Sequence, residues 1–133
     1  MRQMVIVVVL LVAAACGGDA EPSLVGVWTG TEVGAAVTEE WTFTFTETGA
    51  TVSSDGTEIY AATYVARPGQ DPKAMEIMII DSSYPPFIDL TAQAIYEVDG
   101  TTLILASNEP GVAEVPTGFV ANGGTRVWEL VSQ

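Results

Sequence analysis

Glu39-Glu40-Trp41-Thr42-Phe43-Thr44-Phe45-Thr46 is the stretch that decides the fold. From Trp41 onward aromatic and threonine side chains alternate, and each is a β-former. Strict period two puts Trp41, Phe43 and Phe45 on one face of a strand and the threonines on the other. One face is then a core wall and the other meets solvent, as in an antiparallel sheet. Glu39 and Glu40 are adjacent, so on an extended chain they point to opposite faces. They cannot act together as acid and base on one atom.

The pattern extends outward from that strand in both directions. Glu47-Thr48-Gly49 turns the chain into residues 50–54, and Asp55-Gly56 is a two-residue hairpin signal, because a type I′ turn needs positive φ at both positions. Residues 57–66 follow, with Ile59, Ala61, Thr63 and Val65 on one face and Tyr60, Ala62 and Tyr64 on the other. Residues 67–73 hold two prolines and a glycine and read as a loop. Further strands are expected at 24–30, 74–81, 88–98, 101–106 and 125–131, with Asp99-Gly100 and Asn122-Gly123-Gly124 as turns. The run 112–120 is interrupted by Pro116. A short helical turn is expected near 33–37 or 82–91. About eight strands at roughly ten-residue spacing give an all-β sandwich or up-and-down barrel.

Ahead of this domain stands Met4 to Cys16, Met-Val-Ile-Val-Val-Val-Leu-Leu-Val-Ala-Ala-Ala-Cys, preceded by Arg2. A positive start, a short apolar run and small residues before a cleavage point are the anatomy of a secretory signal peptide. The apolar run is too short to cross a bilayer, which takes roughly 20 residues. Ala13-Ala14-Ala15-Cys16 resembles the lipobox of bacterial lipoproteins, although leucine is usual where Ala13 stands. The resemblance implies diacylglycerol on the Cys16 thiol and cleavage just before it. Cys16 is the only cysteine, so it has no disulfide partner. The expected organisation is an N-terminal signal helix over 1–15, a lipidated cysteine and tether over 16–23, and one domain over 24–133. Gly17, rather than aspartate, follows the cysteine, which in two-membrane bacteria permits sorting to the outer membrane. Ordinary cleavage after Ala15 would instead give a secreted protein.

Composition removes several functions. The chain carries a net charge of −13 and no histidine. Past residue 15 the only cations are Arg67, Lys73 and Arg126. Such a surface gives nucleic acid no electrostatic footprint, and it leaves an acyl anchor as the means of membrane contact. Without histidine there is no Ser-His-Asp or Cys-His system. Carboxylates and thioethers alone make a poor zinc or copper site. The domain is therefore expected to be non-enzymatic, without cofactor or metal.

Gly26-Val27-Trp28 near the start, with Arg126 in Gly124-Thr125-Arg126-Val127-Trp128 near the end, resembles the lipocalin and wider calycin pattern. The order Leu24 to Trp28, Asp71-Pro72-Lys73, Met75-Glu76-Ile77, Ile95 to Gly100, Leu103-Ile104-Leu105 and Pro116-Thr117-Gly118-Phe119 is similar to a bacterial branch of small secreted lipocalin-like domains. Members often carry arginine where Val115 stands and cysteine where Ala106 stands. The resemblance implies a small antiparallel up-and-down barrel of about eight strands. It also implies that Gly26, Trp28 and Arg126 close one barrel end, with the guanidinium packed over Trp28.

An eight-stranded barrel is just wide enough to be filled by side chains or to hold one small ligand. The residues expected to line a pocket are Trp41, Phe43, Phe45, Tyr60, Tyr64, Met75, Met78 and Tyr96. Tyrosines supply polar tips and methionines adaptable apolar walls. Two functions of different class follow. One is a membrane-anchored module binding a small apolar or amphipathic molecule. The other is a structural or interaction lipoprotein whose filled barrel presents a rigid head to a protein partner, with protease inhibition as a weaker variant.

Overall fold

The computed structural model describes residues 23–133, and the expected signal helix and Cys16 lie outside them. Eight strands run in chain order: β1 Gly26–Glu32, β2 Trp41–Phe45, β3 Gly49–Ser54, β4 Thr57–Arg67, β5 Lys73–Ser82, β6 Thr91–Asp99, β7 Thr102–Asn108 and β8 Thr125–Ser132. Each pairs antiparallel with the next, and β8 pairs with β1, which closes an up-and-down barrel. Closure leaves no sheet edge with unpaired backbone groups. The sequence left sandwich and barrel open. The β1–β8 ladder decides it, running from Trp28↔Ser132 to Glu32↔Trp128.

Two glycines make the closing strand feasible. Gly26 has φ +139°, a conformation that side chains disfavour. At Gly30 a Cβ would overlap the backbone carbonyl of Glu129 on β8. Asp55 and Gly56 both take positive φ, as a type I′ turn requires. Asp55 is also held to Glu40 twice: its N–H donates to the Glu40 carbonyl, and its carboxylate accepts from the Glu40 N–H. The expected helical turn is a 3-10 turn at Pro85–Phe87, between β5 and β6.

The run 112–120 forms no strand. It crosses the outside of the barrel, with Pro116 buried and Phe119 packed against a cluster of Ala74, Ile95, Ala106 and Val127. Those four side chains face outward by strand alternation. They are buried because this segment covers them.

Inside, the two ends differ. The closed end carries the short β2–β3, β4–β5 and β6–β7 connections and the approach of Leu24. It is filled by Leu24, Trp28, Met75, Tyr96, Leu103 and Leu130. The Trp28 indole N–H donates to the Leu24 carbonyl at 2.9 Å, so the buried ring leaves no polar atom unpaired. The open end is framed by the β1–β2 connection, the Asp55-Gly56 turn, the 3-10 turn and the long β7–β8 connection.

Candidate functional site

A cavity of about 380 Å³ runs from the open end into the barrel. Its size falls within the range of small-molecule pockets. The space has a sequence cause. Inward positions on three strands carry alanine, namely Ala50, Ala62 and Ala92, where the closed end carries tryptophan, methionine and tyrosine. Phe43 and Phe45 wall one side, and Ile77, Ile79 and Leu105 wall the others. Phe87 of the 3-10 turn reaches the mouth.

The mouth holds the polar groups. Arg126 points inward from β8 and donates from Nε and Nη2 to the two carboxylate oxygens of Glu32 on β1, each at 2.8 Å. Its guanidinium carbon lies 5.3 Å from the Trp41 ring and 5.1 Å from the Trp128 ring. Cation–π contact of this kind contributes about 0.5–1 kcal/mol at a partly exposed site. The paired carboxylate, through its hydrogen bond and charge, outweighs desolvation and keeps Arg126 above its ordinary pKa. Tyr60 lines the same mouth, within the electrostatic reach of Arg126. Burial pushes the Tyr60 phenol above the usual tyrosine range, and the neighbouring Arg126 charge draws it part of the way back. Register shifts between Val52 and Ser53 and between Ala61 and Ala62 flank this part of the wall. Tyr60 and Ala62 both face the cavity, as alternation along β4 requires.

Of the eight residues expected in a pocket, Phe43, Phe45 and Tyr60 line it. Trp41 stands beside it, beneath Arg126 and 5.6 Å edge-on from Trp128. Tyr64 packs at 5.2 Å on the far side of Phe45, and its hydroxyl donates to the Thr46 carbonyl at 2.6 Å. Met75 and Tyr96 fill the closed end at 1% and 4% exposure. Met78 lies on the outer wall, 52% exposed. It stands three positions after Met75, an odd step that puts the two on opposite faces of a strand.

The expected packing of Arg126 over Trp28 is also replaced. Trp28 pairs with Ser132, at the other end of β8 from Arg126. At about 3.3 Å per residue the two side chains are set roughly 20 Å apart along the strand. Gly26 and Trp28 belong to the closed end, and Arg126 belongs to the mouth.

Glu32, Trp128 and Glu109 join the site without having been expected there. Trp128 was accessible to period-two reasoning, since it stands two residues after Arg126 on the same face. Glu32 was not, because its partner lies 94 residues away. Among the described residues no three Cys, Asp or Glu side chains group closely enough to hold a metal ion. The chain matches no family model, no curated protein and no solved structure.

Proposed function

We propose that this protein is a lipid-anchored binding module of a bacterial cell envelope, holding one small apolar or amphipathic molecule inside a lipocalin-like barrel. The observation that carries this reading is the apolar cavity at one end of a barrel whose other end is densely packed. A barrel built only as a rigid head has no need of such a space, which forfeits packing contacts among the residues lining it. The signal segment and the lone Cys16 support the anchored placement. Leu24 enters at the closed end, so an anchor at Cys16 would set the mouth away from the membrane surface. Exchange of ligand would then pass through the aqueous side.

Native mass spectrometry of protein taken from its own membrane tests the binding reading. A co-purifying small molecule is expected, and it should be missing from a variant whose cavity is filled by Ala92→Leu. Its repeated absence from the unaltered protein would sink the reading. For the anchor, Cys16→Ser should move the protein to the soluble fraction and abolish fatty-acid labelling. A variant still bound to membranes counts against lipidation.

A second reading, a head for a protein partner, draws on the outer wall of β4 and β5. Val65, Met78 and Ile80 are exposed there, while the outer wall of β6 to β8 is covered by the segment around Phe119.

A further inference from the structure

The mouth carries the one cation that lines the cavity, and that cation is already engaged. Arg126 gives two hydrogen bonds to Glu32, whose side chain is only 16% exposed, and two indole rings flank its guanidinium. Glu109 adds a further carboxylate to the lining. The Arg126–Glu32 pair and Glu109 together leave the mouth with a formal negative charge, on a chain already at −13. A carboxylate ligand would have to displace Glu32, whose side chain is largely buried, or meet the like charge of Glu109.

A hydrogen-bond donor without charge is present. Trp128 lines the cavity, is 5% exposed, and its indole N–H is buried with no partner. That N–H is too deeply buried for an atom in the cavity to reach, so Trp128 presents its ring to the space. Tyr60 also lines the cavity, and its neutral phenol carries a proton to donate. The other polar side chains at the rim are engaged within the protein. Ser107 donates to the Asn108 carbonyl, and Asn108 donates to the Glu114 carbonyl and accepts from Thr125.

Resting on the binding reading above, we propose that the cavity takes an uncharged amphiphile, with its apolar chain in the barrel and an accepting oxygen, such as an ester or ketone carbonyl, at the Tyr60 phenol. A free fatty acid is excluded by Glu32 and Glu109. Glu32 is thus a specificity residue, which holds Arg126 away from anionic headgroups.

Matched probes test this on the purified full chain. Methyl decanoate and decanoate compete against a fluorescent apolar probe at neutral pH. The ester should bind at least about tenfold more tightly than the carboxylate, the scale of one uncompensated charged contact. Glu32→Gln, which keeps a hydrogen-bond acceptor for Arg126 but removes the charge, should bring the ester-to-carboxylate ratio down about tenfold. Tyr60→Phe keeps a ring and should weaken the ester by about fivefold, the scale of one neutral hydrogen bond. Decanoate binding as tightly as the ester, or a ratio unmoved by Glu32→Gln, overturns the proposal while leaving the binding reading intact. Neither probe binding, with Ala92→Leu indistinguishable from the unaltered protein, overturns both.

Discussion

The two ends of this barrel are built from the same strands and do opposite things with them. At the closed end the inward positions carry large side chains, and Trp28, Met75, Tyr96 and Leu103 pack into one buried cluster. Along the cavity, β3, β4 and β6 present Ala50, Ala62 and Ala92 instead. Polar groups divide the same way. The Trp28 N–H is satisfied internally, and the Trp128 N–H is not. The closed end holds the fold together, so the open end is free to trade packing for space. Stability and binding are thereby assigned to different residues, and substitutions can separate them.

The largest effect is expected at the closed end. Trp28→Ala should destabilise by about 3–5 kcal/mol, the usual cost of removing a large buried side chain whose surroundings cannot collapse. For a domain of this size that lowers Tm by well over 10 °C, at roughly 4–8 °C per kcal/mol. A calorimetric melt within a few degrees of the unaltered protein would mean that this end is not the one that carries stability.

A sharper contrast comes from one substitution made at two positions on β6. Ala94 is fully buried among the closed-end residues, and Ala92 lines the cavity two positions away on the same face. Ala94→Leu overpacks a filled core and should cost about 1–3 kcal/mol. Ala92→Leu enters empty space, so its melt should stay level or rise slightly while ligand uptake is lost. Equal destabilisation by both would erase the distinction between the ends.

Much of this contrast was readable beforehand. The Trp41-Phe43-Phe45 alternation marked an inner wall because period two is a local property. The Asp55-Gly56 turn was legible because it depends on two backbone conformations. What stayed hidden depends on distant partners. The Arg126–Glu32 pair joins the first and last strands, so its existence rests on closure of the barrel. The wrapping of residues 112–120 could not be read as strand or turn, because their burial comes from an outer wall formed by other strands. Hollowness was the least legible property. It requires knowing that Ala50 and Ala62 pair on adjacent strands and that Ala92 lines the same space. Met78 is a different kind of miss, since alternation from Met75 already put it outside.

At the mouth itself the expected changes are smaller. Arg126→Met removes the ion pair with Glu32 and the stacking on Trp41 and Trp128. Because the guanidinium is 44% exposed, solvent screens the pair and the loss should be about 1 kcal/mol. Chemical denaturation measures it. A loss as large as that of Trp28→Ala would make the mouth a structural keystone and break the division of labour between the ends.

The smallest effect is a dependence on pH at the alkaline limit. Burial holds the Tyr60 phenol neutral above the usual tyrosine range, while Arg126 draws it down and Glu109 and Glu32 push it up. In the unfolded chain a tyrosine loses its proton near pH 10. The folded form keeps the proton longer, so the stability it contributes is complete below about pH 10 and is lost as pH rises through the folded pKa. Arg126→Met removes the one group that lowers this pKa, so the phenol should titrate still later and the alkaline loss should deepen. Tyr60→Phe should reduce that loss without abolishing it, because burial raises Tyr64 in the same direction. Tyrosinate absorbance followed together with the melting temperature distinguishes the cases. If Arg126→Met instead makes Tyr60 ionise earlier, the guanidinium is not beside the phenol, and the polar mouth is assembled differently from the one described.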